Sequence, residues 1–597
     1  MDKPQGTRRR KARRRVMVLL VLCCAVFALF LARLAWLQFA MADHYAQKMA
    51  EASSASYTLP QHAARGAITD RSGTVLAQDE TVYDVYLRVP APPGTNLRET
   101  VNTIAALTGG KDVETQLAAF CSAVSAGELP VTQGLDSIGA TAYYRAGLVQ
   151  SGAVRLAARG VRRWPDGTIL PHTLGFTGPV TAEQWPAARA QGLAMDATIG
   201  QNGLEAAYDT LLHGRDGQLQ INVGLDGVTR ETMQTSTPVP GCTLVLTLDA
   251  DLQKTLQTAL QNQMDTLRTT KGIGAGREVR AGAAVVVDVR TGGILAAASL
   301  PDFDLSRYRS DYAALSADSA APLLDRVCQG LYAPGSAFKP AVAAAALTAG
   351  IDPAATVNCT GKYFYYSNYH PGCLQYGHRG PVDLRTALEY SCNIFFYDTG
   401  RRLGVDTFSA MARQLGLAND TGVEITAAQG RLTWSTDTNY QDGLTLMAAI
   451  GQGNTAVTPL QLAQYAATLA NYGRKPTLHF ADRAVQPATG AAVWQYEPAF
   501  TEIPGGEAVF GPIRDGMKRM AQTARALREA PVTVAAKTGS PQLADTLPGG
   551  SHYVNSVLIG YAPADDPQIA MAVVLEYGGG GANAAPVMRA VLDAWFE

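Results

Sequence analysis

The stretch that decides how this chain folds around its chemistry is "LYAPGSAFKP", Leu331–Pro340, with the run "AVAAAALTAG", Ala341–Gly350, directly behind it. Pro334-Gly335 reads as a turn. The alanine-rich run reads as a helix that stops at Gly350. Ser336 therefore falls at the helix start, and Lys339, three residues on, shares its face. A helix start offers free backbone N–H groups and positive potential, which suit a developing oxyanion. The apolar helix buries Lys339, and burial lowers an amine's pKa toward the range in which it accepts a proton. The pattern S-x-x-K is permissive, since about one such pair is expected by composition in a chain this long. Taken alone it reads as a helix-capping serine beside a surface lysine.

Two further motifs change that reading. "ALEYSCNIFFYDTG" carries an S-x-N at Ser391–Asn393, and "VTVAAKTG" ends in the sole K-T-G of the chain, Lys537–Gly539. Separately these are a polar turn between helices and a strand end. S-x-x-K, S-x-N and K-T-G in this order form the signature set of penicillin-binding proteins and class A β-lactamases.

Longer segments carry the likeness further: "RGAITDRSGTVLA" (with Arg65, Gly66, Asp70, Arg71 and Gly73), "RRWPDGTILPHTLGFTG", "GLEAAYDTLLHGRDG", "VVVDVRTGGILAAASLPDFD", "IGQGNTAVTPLQLAQYAATLANYG" and "LIGYAPADDPQIAMAVVLEYGGGG". From about residue 60 to the C-terminus the chain resembles a class B penicillin-binding protein, a peptidoglycan D,D-transpeptidase. The resemblance implies an α+β protein with a single N-terminal transmembrane helix, an elongated α/β pedestal (dimerisation) module and a C-terminal penicillin-binding transpeptidase domain, an antiparallel sheet flanked by helices. The expected division is a basic cytoplasmic tail over 1–15, an anchor over 16–40, the pedestal over 41–240 and the transpeptidase domain over 241–597.

The same resemblance assigns roles. Ser336 attacks the penultimate D-Ala carbonyl of a D-Ala-D-Ala stem peptide, and Lys339 takes its proton. Ser391 relays a proton to the leaving group. Asn393 holds the substrate amide and Lys339. Lys537 and Thr538 of the K-T-G, which ends at Gly539, bind the terminal carboxylate. The oxyanion rests on the N–H groups of Ser336 and Ser540. An amine of a second stem peptide then takes the acyl group, and β-lactams acylate the same serine. No cofactor is implied. A multi-spanning glycan polymerase is the expected partner. Ala337 and Ser540 stand where threonine is usual, and neither change removes a reacting group. The rival readings are a D,D-carboxypeptidase or β-lactamase-type hydrolase, a β-lactam sensor and a non-catalytic scaffold. The N-terminal module argues against the first, the lack of a cytoplasmic effector domain or further spans against the second, and the intact motifs against the third.

Composition supports a folded chain of two to four domains: 597 residues, 47% hydrophobic and 17% charged. A net charge of -1 excludes a general nucleic-acid footprint. Charge is concentrated at the start, where Arg8, Arg9, Arg10, Lys11, Arg13, Arg14 and Arg15 precede the uncharged run Val16–Ala32, and apolar character resumes to Ala40. That order reads as one membrane-spanning helix with its arginines in the cytoplasm and the rest of the chain outside. A cleaved signal peptide, with "AMA" at Ala40–Ala42, is the alternative; the apolar span exceeds a usual signal core. Asp43–Ser56 reads as a polar continuation of the helix, and residues 95–155 as Ala-rich helices.

Eight cysteines do not make a disulfide scaffold in a chain of this size. Cys359, Cys373, His378 and Cys392 have the types for zinc, but their C-x13-C-x4-H-x13-C spacing is unusual. Zinc, a Cys359–Cys373 disulfide and free buried thiols all stay open.

Overall fold

A computed structural model of the chain describes residues 6–45, 48, 55–89, 91–92, 94–109, 112–123, 127–193, 195, 197–223, 229–272, 274–373, 378–548 and 550–597. The first helix runs Gly6–Ala35 and ends in a wider turn over Trp36–Ala40. Among the described residues it is the one helix long and apolar enough to cross a membrane, over Arg13–Ala40. Its side chains there are exposed, as expected of a helix whose apolar surface has no core to face. The expected continuation of this helix to Ser56 is not what is found. Residues 42–45 are helical, most of 46–54 lies outside the described residues, and Ala55–Gln61 is a strand.

The chain divides into two compact units. The first joins Met1–Ala63 to Arg215–Val239. It contains an antiparallel sheet of three strands in the order Ala55–Gln61, Gly217–Val223, Thr229–Ser236.

The second unit joins Ala64–Gly214 to Pro240–Glu597. In its earlier part the long strand Val75–Val89 pairs with both Gly127–Leu135 and Val154–Arg163. Helices Leu97–Leu107 and Ser137–Arg145 pack on this ribbon around Val85, Leu87, Ile104 and Tyr143. The segment 95–155 is thus not purely helical: "GELPVTQGL", Gly127–Leu135, is a strand that alternates buried and exposed residues over part of its length. Its apolar residues follow a period of two, and the alanine-rich neighbours mask that pattern.

The centre of the second unit is an antiparallel sheet of five strands. Its order is Ile294–Leu300, Gly282–Asp288, Ile569–Leu575, Ser556–Ala562, Ala535–Gly539. Strands such as "GAAVVVD" and "IAMAVVL" show no polar alternation because both faces are covered. Helices Ala250–Arg268 and Ala585–Phe596 cover one face. Asp249 caps the first of these, accepting from the N–H groups of Asp251 and Leu252. The other face carries Pro459–Ala470, every residue of which is buried. Thr458 and Gln461 close a reciprocal capping box at its start. The tight turn at Thr291-Gly292-Gly293 joins the first two strands, as its sequence predicts. The edge strand Ala535–Gly539 presents the K-T-G next to the turn Gly335–Phe338 that holds Ser336.

Candidate active site

"GSAF", Gly335–Phe338, forms a single 3-10 turn, and the α-helix proper starts at Lys339 and runs to Thr348. Ser336 is half-buried at this helix entry, whereas Lys339 is fully buried. Two glycines let the surrounding chains close on Ser336. Gly335 has a φ of 56°, and a Cβ there would lie 2.9 Å from Pro541 Cδ and 3.1 Å from the backbone N of Ser540. A Cβ on Gly539 would lie 2.2 Å from the Pro334 carbonyl oxygen. The K-T-G strand end therefore abuts the serine turn, with the Ser540 N–H beside it. Gly335 N–H also donates to the Gly451 carbonyl at 2.9 Å, which fixes the turn from its other side.

The S-x-N motif opens the helix Asn393–Leu403. Ser391, just before it, has a φ of 56°, left-handed backbone that is unfavourable for a residue with a Cβ. This conformation goes with a convergence of polar groups. Lys339 Nζ donates to the Ser391 carbonyl at 2.7 Å, to Ser391 Oγ at 3.1 Å and to Asn393 Oδ1 at 2.7 Å. Lys537 Nζ reaches the same Ser391 Oγ at 3.0 Å and the Thr538 carbonyl at 3.1 Å. One hydroxyl thus sits between two fully buried amines.

The electrostatics follow from what is missing around them. Among the described residues, neither amine has a carboxylate as a hydrogen-bond partner. Burial, slightly offset by the thiols of Cys392 and Cys373, brings the Lys339 pKa down to about 7. Burial, reinforced by the neighbouring Lys339 charge, holds Lys537 well below the ordinary lysine value. An amine near neutrality can accept a proton and return it.

The structure thus gathers Lys339, Ser391, Asn393 and Lys537 directly, with Ser336 one turn before Lys339 and Thr538 and Gly539 on the facing strand end. Ser540 Oγ accepts from the Gly581 N–H at 2.9 Å, so the C-terminal glycine loop braces the K-T-G. Sequence reasoning missed two supports, Gly451 behind Gly335 and the thiols behind Asn393. Asn393 N–H points to Cys373 Sγ at 3.4 Å, and its side-chain amide donates to the Gly372 carbonyl at 3.2 Å.

The cysteine cluster is assembled. Cys359, Cys373, His378 and Cys392 are all buried, and their donor atoms all lie within 4.8 Å of one another. None of the three cysteines is in a disulfide. His378 Nε2 lies 3.6 Å from Cys359 Sγ and 3.5 Å from Cys373 Sγ. Zinc–sulfur and zinc–nitrogen bonds of about 2.3 and 2.1 Å at a tetrahedral angle give an S···N edge of about 3.6 Å. The residues fit a zinc ion.

Comparison with known proteins agrees with this geometry. Residues 282–593 match the model of the penicillin binding protein transpeptidase domain, and residues 60–246 that of the penicillin-binding protein dimerisation domain. The peptidoglycan D,D-transpeptidase MrdA of Acinetobacter baumannii is 28% identical over 96% of this chain and 86% of its own length. The Escherichia coli K12 protein of the same name is 26% identical over 90% of this chain and 87% of its own length. Among solved structures, one of a peptidoglycan synthase complex that coordinates polymerization and crosslinking has a chain 29% identical to this one, with a TM-score of 0.72 and 98% of each chain covered. The Helicobacter pylori PBP2–MreC complex shares the fold at 22% identity and a TM-score of 0.72, covering 91% of this chain and 99% of that one. With more than half its length matched by the transpeptidase model and the family's three motifs converging on one hydroxyl, the chain belongs to the penicillin-binding protein transpeptidases.

Proposed function

We propose that this peptidoglycan D,D-transpeptidase works through an acyl-enzyme on Ser336. The observation that carries the reading is the pair of buried lysines around Ser391 Oγ, with no carboxylate among their hydrogen-bond partners in the described residues. Neutral Lys339 takes the Ser336 proton as Oγ bonds to the penultimate D-Ala carbonyl carbon. The N–H groups of Ser336 and Ser540 receive the oxyanion. As the tetrahedral species collapses, the C–N bond breaks, and a proton passes through Ser391 to the departing D-Ala amine. Lys537 and Thr538 hold the terminal carboxylate, and Asn393 holds the peptide amide. The amine of a second stem peptide then attacks the ester carbonyl, forms the cross-link and frees Ser336. β-Lactams acylate the same oxygen. Ser336→Ala in the full-length protein should abolish covalent labelling by fluorescent penicillin, and residual labelling would put the nucleophile elsewhere. Release of D-Ala without cross-linked product, when donor and acceptor peptides are both supplied, would favour a hydrolase.

Cys359, Cys373, His378 and Cys392 would hold zinc as a structural ion, with all four positions filled by protein and none left for catalysis. Its effect would be to fix Cys373 and Cys392, and through them Asn393. Metal analysis of the purified protein should find one zinc per chain, lost in Cys359→Ala. Metal-free protein with three titratable thiols would remove this reading.

The apolar helix anchors the chain in the membrane, the arginines of residues 1–15 stay in the cytoplasm and the enzyme faces outward. The proposed domain division is 1–15, 16–40, 41–240 and 241–597. A glycan polymerase with several membrane spans is the proposed partner, in keeping with the likeness to a chain from a synthase complex. Reaction of an engineered cysteine near residue 300 with an impermeant thiol reagent in whole cells would test the orientation.

A further inference from the structure

The segment "KYFYYSNYH", Lys362–His370, is the densest run of aromatic residues in the chain, and no step of acyl transfer uses it. Tyr363 is rooted in the core and Tyr366 packs against it, but the other three rings face outward. Phe364 is 63% exposed, Tyr365 58% and Tyr369 38%. They are nonetheless held firmly. The neck of the loop is closed by Tyr363 N–H on the Pro371 carbonyl at 3.0 Å and Cys373 N–H on the Gly361 carbonyl at 2.9 Å. Tyr363 Oη donates to Asp398 Oδ1 at 3.0 Å and accepts from Arg401 Nε at 2.9 Å. The Arg401 guanidinium lies 3.9 Å from the Tyr365 ring centroid, and Tyr366 meets Tyr365 edge-on at 5.1 Å. The Tyr366 hydroxyl reaches the Asp442 carbonyl at 3.4 Å.

This rigid aromatic shelf is continuous with the acyl-transfer site. Gly372, which closes the loop, accepts from the Asn393 side chain, and Asn393 binds Lys339. An ordered set of exposed rings resting on the substrate-binding asparagine is built to hold a part of the substrate that the catalytic groups do not touch. In peptidoglycan that part is the polymer of N-acetylated amino sugars to which the stem peptides are joined. The C–H faces of a pyranose ring pack on aromatic rings, and the Arg401 guanidinium and His370 imidazole at the shelf offer donors to hydroxyl and acetamido oxygens. We infer that the loop Lys362–His370 is a glycan-binding subsite, with Phe364, Tyr365 and Tyr369 stacking on the amino sugars of the strand whose stem peptide is being transferred.

This inference rests on the transpeptidase reading of the site, and its test separates the two. The probe is a peptide-free β-1,4-linked N-acetylglucosamine oligomer, added to the full-length protein in detergent and followed by saturation-transfer NMR and titration calorimetry. Wild type should bind it, and Phe364→Ala and Tyr365→Ala should each weaken binding by about tenfold, the worth of one aromatic stacking contact. Both variants should keep the wild-type rate of penicillin labelling, which shows that Ser336 and Asn393 are intact. With polymeric glycan donor their KM should rise, while turnover of a free D-Ala-D-Ala peptide stays unchanged. Absence of oligomer binding to wild type, or equal binding by the variants, would overturn the inference. So would variants that lose a co-purifying protein partner yet cross-link polymeric glycan normally, which would make the shelf a protein-docking surface. Loss of penicillin labelling in Ser336→Ala has no bearing on oligomer binding, so each reading fails on its own measurement.

Discussion

Two clusters of buried charge lie within the larger compact unit, and they are built on opposite principles. In the first, Glu205 is fully buried and bridges two arginines, Arg65 Nε to Oε2 and Arg162 Nε to Oε1, both at 2.6 Å. Arg65 also pairs with Asp209 at 2.6 Å and donates to the Glu205 carbonyl at 2.9 Å. Burial opposes the Arg65 charge, but Glu205 and Asp209 outweigh it and push the guanidinium pKa up. In the second, Lys339 and Lys537 flank one hydroxyl with no carboxylate bonded to either among the described residues, and burial drives both pKa values down. The paired cluster ties segments together. In the unpaired one Lys339, brought down to about 7, exchanges its proton near neutrality, which is what acyl transfer requires.

The largest effect that would break this contrast is at Lys339. Lys339→Met removes the proposed base but keeps an unbranched side chain of similar length. Penicillin acylation should fall by about 10³-fold. The unfolding midpoint should not drop below the parent's, because an unpaired buried amine costs stability that an apolar side chain does not. A rate loss under tenfold would disqualify Lys339 as the base, and a large fall in the midpoint would mean that its hydrogen bonds to Ser391 and Asn393 are structural first.

Glu205→Ala should do the reverse. It leaves two buried guanidinium groups without their shared anion, a change worth about 3–5 kcal/mol. Denaturant unfolding should show the loss, while the fraction still folded labels with penicillin at the parent rate. A cost under about 1 kcal/mol would mean that water, Asp209 or Asp79, whose Oδ1 lies 3.3 Å from Arg162 Nη1, takes over, and the cluster would no longer count as the paired extreme.

The third effect is about tenfold per pH unit. With Lys339 near 7, the neutral amine is the minor form below that value and the major form above it. Acylation should therefore rise with pH, close to tenfold per unit below about pH 6, and level off above about pH 8. A profile flat from pH 5.5 to 8, or one that falls with rising pH, would contradict a lysine base.

How much of this contrast is legible in the sequence depends on how local each cause is. The turn and helix around Ser336 are local, since proline, glycine and an alanine run act within ten residues, and the structure changes only the first turn, which is 3-10 rather than α. The hairpin at Gly292 and the capped helix after Thr458 are legible for the same reason. The left-handed backbone at Ser391 is not, because serine has no preference for it and only the distant lysines and Cys373 around it give it a purpose. The four zinc-type ligands are visible as residue types, but their unusual spacing hides the geometry until a loop and a helix start bring them within 4.8 Å. Arg65 and Glu205 both fall in segments whose likeness is recognisable, yet their pairing across 140 residues has no local signal. The strand Gly127–Leu135 was hidden by helical neighbours.

The smallest effect tests whether burial, and not the mere presence of opposite charges, makes the paired cluster matter. Arg290 and Asp566 form an ion pair with good geometry, Nη2 at 3.1 and 3.0 Å from the two carboxylate oxygens, between two turns of the central sheet. Their side chains are 59% and 78% exposed, so water already solvates each charge and salt screens the attraction. Asp566→Ala removes the anion from Arg290 as Glu205→Ala removes it from Arg65 and Arg162, but here the guanidinium keeps its hydration. The unfolding midpoint should move by no more than about 1 °C, and 0.5 M salt should erase what shift there is. If the exposed pair instead cost as much as the buried one, desolvation would not be what separates them. The low pKa of Lys339 would then need a cause other than burial.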